Sequence, residues 1–445
     1  MLLDDYFTAL HSNRQFTGNV LVAEDGMIIY EKSFGFADFQ AKKLNSANIL
    51  FPIASISKTL TATGILQQME KGNLQLTDPV TKYFPAFPYL TITIRHLLSH
   101  TSGLPPYNAF FDSVKTRNPD KIFTNKDFMQ GVIANKKPLI YQPGDKGNYD
   151  NINFIVLALI LEKVSGMTLE EYIKKNILQP AGMNNTSFFS LSFQFDPAKE
   201  KTNFAFLHLY PHLYSDILVK SNSVPYIQDY WHAYNFSGFG DYISTTHDLL
   251  KYDEAAYSGK LLTAATLKEA FVPVMLNDGS VNPGEFGLGW EMEKDTSLGK
   301  IVYHSGAAAG LSCIILRNIS RHQTVILFDN AHFNAHEIAT NAMAVLNDRK
   351  TSYPRKSIAR IYGGLLVSQD PVIAADILYK LMKDTANYEL SEDEINSLGY
   401  NLMGANNTFH FPEVYRYADA AEAFKINMQL FPSSWNVYDS YANHC

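Results

Sequence analysis

The chain has 445 residues, 46% hydrophobic and 18% charged, with 37 Lys plus Arg against 44 Asp plus Glu. Such a chain is too long for one small core and too apolar for disorder, and a net charge of −7 with no basic block excludes a nucleic-acid footprint. Two cysteines, Cys313 and Cys445, exclude a disulfide framework and a thiolate zinc site, so neither metal nor cofactor is expected.

Met1-Leu-Leu-Asp-Asp-Tyr6 lacks the basic and apolar regions of an export signal. The longest apolar run, residues 154–161, is far short of the roughly 20 residues that span a bilayer, so no transmembrane segment is expected. Residues 18–23 and 27–30 alternate as strands around Asp25-Gly26, the pair that suits a tight hairpin turn. Residues 55–71 read as a helix with a stripe of Leu60, Ile65, Leu66 and Met69, stopped by Gly72. A shorter helix over 93–99 leads into the polar turn His100-Thr-Ser-Gly103, and an apolar helix over 153–164 is closed by Ser165-Gly166. Residues 182–239 carry only a weak pattern. Within them Tyr210, Tyr214, Tyr226, Trp231 and Tyr234 either roof a cleft or pack as a loop.

Strand character returns at 286–290, 301–304, 312–316 and 323–328, and residues 337–346 read as helix. Strands at both ends thus bracket a helical middle. That order predicts an α+β fold, an antiparallel sheet flanked by helices with an inserted helical domain. The main unit spans 1–350, its sheet drawn from about 1–50 and 280–350 and its helical part from about 70–240. Beyond Pro354 the pattern is helical only. Residues 395–400, Ala420 with Phe424, and Pro432 match part of a tetratricopeptide repeat. One repeat cannot bury its own apolar face, so residues 355–445 pack on the main domain or make a protein contact.

Three short motifs carry chemistry. In Ser55-Ile-Ser-Lys58 the residues three apart share a helix face, so the amine can reach the hydroxyl and act on it if burial lowers its pKa. A second Ser-x-x-Lys, Ser297 to Lys300, sits on a turn and is read as chance. Tyr149-Asp-Asn151 supplies a phenol that can be held as phenolate or pass protons, and an amide that can bond lysine and substrate. The same spacing recurs at Tyr441 to Asn443 without meaning. His304-Ser-Gly306 ends a predicted strand, where glycine lets a substrate lie along the edge. The amides of Ala307 and Ser55 would then form an oxyanion hole. His96 and His100 stand at helical spacing, but with no third ligand they are read as structural.

Together the three motifs, with Phe51 to Thr59, Ile92 to Pro105, Gln142-Pro-Gly144, Pro180 to Met183 and Ile243 to Leu249, resemble the serine β-lactamase and penicillin-binding-protein superfamily. The resemblance is to its class C β-lactamase-like branch and covers roughly residues 17–345. It implies an α/β sandwich with a helical domain and the site between them. By position it implies Ser55 as acylated nucleophile, Lys58 as its proton partner, Tyr149 as base, and Asn151, His304 and Gly306 as substrate contacts. True β-lactamases carry lysine where His304 stands. Histidine has an ordinary pKa near ~6.5, so a carboxylate held by it would need imidazolium. The departure resembles the family's peptidases on D-amino acids and its esterases. The expected function is therefore hydrolysis of a small-molecule or peptide substrate, with a weak β-lactamase or a non-turning-over penicillin sensor as alternatives. The resemblance implies a periplasmic or secreted protein, while the N-terminal sequence leaves the cytoplasm open.

Overall fold

The computed structural model describes residues 2–118, 120–189, 203–225, 227, 234–332, 334–351, 353, 355–404 and 415–442. Six antiparallel strands form the main sheet: β1 (Gly18–Glu24), β2 (Met27–Phe34), β3 (Glu291–Met292), β4 (Ile301–Ala308), β5 (Leu311–Asn318) and β6 (Gln323–Asp329), in the order β3-β4-β5-β6-β1-β2. The β1–β2 hairpin turns through Asp25 and Gly26, both at positive φ (50° and 75°), as a tight primed turn requires. Pairing of β1 with β6 joins segments some 300 residues apart, so the sheet is drawn from both ends of the domain as the sequence predicts.

Side chains alternate between two apolar layers, as a period of two dictates. Val20, Val22, Ile314, Leu316, Val325 and Leu327 face helices α1 (Leu3–Ser12) and α6 (Ala335–Leu346). Leu21, Ala23, Cys313, Ile315, Ile326 and Phe328 face the helical region. That region is built on α2 (Ser57–Glu70), α3 (Ile94–Leu98), α4 (Ile152–Ser165) and α5 (Thr246–Tyr257). The stripe read on α2 understates its burial, because Ser57 to Gln68 are all buried and the helix is enclosed on every side. Gly64 lets α4 come close: a Cβ there would stand 2.7 Å from Leu161 Cδ2. Among the described residues no single helix is long and apolar enough to cross a membrane.

Two predicted elements differ. Residues 286–290 do not form a strand. Gly289 turns at φ 82° and gives its N–H to the Leu98 carbonyl (3.0 Å), while Leu288 gives its own to Ala270 (3.0 Å), so helix ends take the bonds a ladder would need. Nor is the C-terminal segment helical only, since Lys356–Ser357 and Tyr388–Glu389 form a short parallel pair. Helices α7 (Ile358–Leu366), α8 (Pro371–Leu381), α9 (Glu392–Leu402) and α10 (Tyr417–Leu430) share a third apolar cluster that includes Leu213 and Tyr214 of the preceding unit. Asn401 Oδ1 accepts the Leu213 N–H at 3.0 Å, and Gly399 lies against the Phe424 ring.

Helix α5 is tied to the sheet by Arg317 of β5. Its Nη1 donates to Asp253 (2.5 Å) and Glu254 (2.9 Å), and Thr324 also donates to Asp253 (2.7 Å). Arg317 and Asp253 are buried. Breaking a buried pair strands a charge, so Arg317→Met is expected to cost about 3–5 kcal/mol in urea unfolding.

Candidate active site

Ser55 sits on a tight turn, Ala54–Ile56, that leads into α2. Ala54 is held at φ 40°, an unfavourable value for a residue with a Cβ. The turn is stitched in place by the preceding strand residues Phe51–Pro52, which pair with Ile243 and Ser244, and by the Ile53 N–H on the Tyr242 carbonyl (3.0 Å).

Lys58 reaches back from the first turn of α2. It is wholly enclosed, and its three protons meet three acceptors: Ser55 Oγ at 2.9 Å, Asn151 Oδ1 at 2.8 Å and the Phe239 carbonyl at 3.1 Å. The Tyr149, Phe239 and Phe154 rings lie 4.8, 5.4 and 5.7 Å from Nζ. Burial lowers its pKa from 10.5 to about 7, against the opposing charges of Asp241, Glu291 and Asp150. Near neutral pH a large fraction is therefore free amine, able to take the proton of Ser55.

Tyr149 is 39% exposed, with its ring 4.8 Å from Lys58 Nζ and the Ser55 side chain acting on its hydroxyl. Burial of that hydroxyl raises its pKa well above the ordinary 10, so the group is a neutral phenol and not the phenolate that the lysine's nearness suggests.

His304 is brought to the same centre, its ring 6.4 Å from that of Tyr149. It lies within β4 instead of at a strand end. It is buried, and Nδ1 is 2.7 Å from the Ser305 carbonyl, which can only accept, so Nδ1 carries the proton. Burial, helped by the Lys58 charge, pulls its pKa down to about 3. This imidazole is therefore neutral and offers a substrate carboxylate no cation.

Gly306 also has a different reason for being glycine. A Cβ would stand 2.6 Å from both Cys313 Sγ and the Ile53 carbonyl, so the bare backbone lets β4 pack beneath the Ser55 turn. Cys313 Sγ donates to the same Ile53 carbonyl (3.3 Å). Ala307 is exposed, and β3 pairs with Val302 and Tyr303, so from His304 onward this edge of β4 has no strand partner among the described residues.

Two supports complete the site: His100, read from the sequence as structural, and Asp241, which the sequence reading did not single out. His100, in the left-handed region at φ 55°, stacks 4.4 Å from Tyr149, and its Nδ1 accepts from the Asp150 N–H and the Asn153 amide, both at 3.2 Å. Its carbonyl accepts the Asn148 N–H (2.9 Å), so the polar turn is the platform of the tyrosine loop. Asp241, buried near Lys58, had no motif to mark it. His96 accepts the Thr93 N–H at its own helix start, and Arg95 reaches Glu269 at the surface. Among the described residues no three His, Cys, Asp or Glu side chains group as metal ligands.

Of the aromatic middle, Tyr214 joins the C-terminal cluster, Tyr210 lies under the Arg360 guanidinium (4.3 Å), and Tyr234 packs on Phe123 and Tyr107. Tyr226, Trp231, Asn443 and Cys445 lie outside the described residues.

A family profile described as Beta-lactamase matches residues 3–347. The chain belongs to the β-lactamase family, a family of serine hydrolases. It is 35% identical to Penicillin-binding protein 4* of Bacillus subtilis (strain 168) over 333 residues, 74% of this chain and 71% of that one. The octameric penicillin-binding protein homologue of Pyrococcus abyssi has the same fold (TM-score 0.64, 24% identity, 78% of this chain and 77% of that one). So does the D-amino acid amidase of Ochrobactrum anthropi SV3 complexed with D-phenylalanine (TM-score 0.61, 20% identity, 78% and 99%). The family match stops before the C-terminal helices.

Gly306→Val tests the packing of β4 under the nucleophile turn. Overpacking there is expected to cost about 1–3 kcal/mol, read as a lowered Tm in thermal unfolding.

Proposed function

We propose that this chain hydrolyses amides or esters through an acyl-enzyme on Ser55. The carrying observation is the enclosed Lys58 amine at 2.9 Å from the Ser55 hydroxyl. Lys58 takes the hydroxyl proton as Oγ attacks the substrate carbonyl, whose π electrons move to oxygen. Backbone N–H groups of Ser55 and Ala307 hold that oxyanion. As the carbonyl re-forms, the leaving amine or alkoxide departs with a proton from Tyr149, which recovers one from Lys58. Water then attacks the acyl carbonyl, passing a proton to Tyr149 and Lys58; as the carbonyl re-forms the Oγ–acyl bond breaks, the acid leaves and Ser55 Oγ takes that proton back. Asn151 fixes the lysine and contacts substrate. The phenol's raised pKa favours this relay role over a standing phenolate base.

The preferred substrates in this reading are D-aminoacyl amides, peptidoglycan-like peptides or simple esters. The neutral His304 supports it, because a penicillin carboxylate would find no fixed cation there. The D-amino acid amidase sharing the fold is in keeping with it. The likeness to a penicillin-binding protein favours a second reading, a sensor that acylates and does not turn over. The domain split is part of the proposal: 1–350 as the hydrolase unit and 355–445 as a helical unit available for protein contact.

Mass spectrometry after fluorophosphonate should show an adduct on the wild type and none on Ser55→Ala. Rapid turnover of D-aminoacyl p-nitroanilides or p-nitrophenyl esters supports the hydrolase, whereas a stable penicillin adduct without turnover supports the sensor. Lys58→Met should lower kcat by about 10² to 10⁴. The pH dependence has a definite sign. Free amine is the active form, so kcat/KM should climb as pH rises through about 7. KM for a carboxylate-bearing substrate should stay flat from about pH 5.5 to about 8.5, because His304 gains no proton in that range.

A further inference from the structure

Lys58's third acceptor, the Phe239 carbonyl, lies on a loop with its own supports. Asn125 brackets Ser237, donating to its carbonyl (3.1 Å) and accepting its N–H (2.8 Å), and Thr61 of α2 donates to the Gly238 carbonyl (2.8 Å). Gly238 turns at φ 110° directly against α4, where a Cβ would stand 2.6 Å from the Phe154 carbonyl. Asp241 closes the loop: its Oδ1 accepts the Gly238 N–H at 2.9 Å and the Gly240 N–H at 3.0 Å.

An asparagine could accept both bonds equally well through its amide oxygen. A carboxylate is the costlier choice, because Asp241 is 1% exposed and its Oδ2 has no hydrogen-bond partner among the described residues. A buried anion needs a compensating cation. The cation that acts on it is Lys58.

We propose that Asp241 is a positioning residue and the charge partner of Lys58: it holds the Phe239 carbonyl on the amine, and its buried anion sets the pH at which that amine gives up its proton. The inference rests on the proposed role of Lys58 as proton acceptor for Ser55. Other groups act on the amine from each side. Asp150 from the tyrosine loop and Glu291 from β3 favour the cation, as Asp241 does. His100 and His304 face it as neutral rings and Tyr149 as a neutral phenol. Tyr242, beside Asp241, is held neutral by burial and by that same carboxylate. Burial raises Asp241 itself to about 6, so it is largely ionised where Lys58 titrates, near 7.

The test is the rate of fluorophosphonate labelling of Ser55 against pH, in the wild type and in Asp241→Asn. Asparagine keeps both loop bonds and removes the charge. The labelling midpoint should therefore fall by about one pH unit, toward more acidic pH. Should Asp241→Asn not fold, Asp241→Ser removes the same charge, and the midpoint is read on the labelled fraction alone. Coincident midpoints in labelled wild type and variant would overturn this inference and leave the proposed function standing. A wild type that never labels at Ser55 would overturn both.

Discussion

The centre depends on one enclosed amine. Burying an ammonium is costly, and the fold meets that cost with three oxygens from three distant segments: the turn before α2, the head of α4 and the loop after residue 237. Two opposing effects then set its chemistry. Desolvation lowers the lysine's pKa, whereas the carboxylates of Asp241, Glu291 and Asp150 raise it, and desolvation wins by enough to leave it near 7. Without those carboxylates the amine would be a weaker base toward the Ser55 proton. Without burial it would stay cationic and be no base. The middle value requires both.

Holding that balance explains features far from the reacting atoms. Ser55 keeps its place because Ile53 is bonded to Tyr242 on one side and to Cys313 on the other, with Gly306 too small to push the strand away. Tyr149 keeps its place because His100 stacks on its ring and bonds the backbone that follows it. Further out, Asn282 donates to the Ser99 carbonyl (3.0 Å), and its Oδ1 fills the space where a Cβ on Gly147 would be. A serine, a lysine and a tyrosine become a site only on such a frame.

What was legible in the sequence follows from where information resides in a side chain. Ser55, Lys58, Tyr149, Asn151 and His304 were legible because their chemistry needs those side chains, and the structure brings them together. The strands β5 and β6 were legible because burial on both faces leaves apolar runs, and β1 through the Asp25-Gly26 turn that ends it. Residues 286–290 misled because Phe, Leu and Trp mimic a strand while glycine lets the backbone bond to helix ends instead. The Phe239 contribution was invisible, since the group that binds Lys58 is a carbonyl that any residue owns. Asp241 was not visible as a support because its partners are backbone N–H groups, and His100 was legible as structural while its particular contacts with Tyr149 and the Asp150 N–H were not. Gly306 was marked for its bare backbone, but its packing against Cys313 and the Ile53 carbonyl left no trace in the pattern.

The neutral imidazole at 304 bears on selectivity through a simple magnitude. Two unit charges 4 Å apart attract by about 4 kcal/mol at an effective dielectric of 20, and about 1 kcal/mol in water. Replacing a permanent cation by a neutral ring forfeits up to about that much for a substrate bearing a carboxylate, roughly a thousandfold in affinity at the upper end. A substrate with no carboxylate at that place forfeits nothing. Protonation cannot restore the difference at ordinary pH, since the ring is enclosed and faces the Lys58 charge, and these two effects outweigh the opposite pull of the Ser305 carbonyl. The same enclosure that lowers the Lys58 pKa therefore silences His304 as an acid, and under the proposed function it favours substrates with no carboxylate at that place.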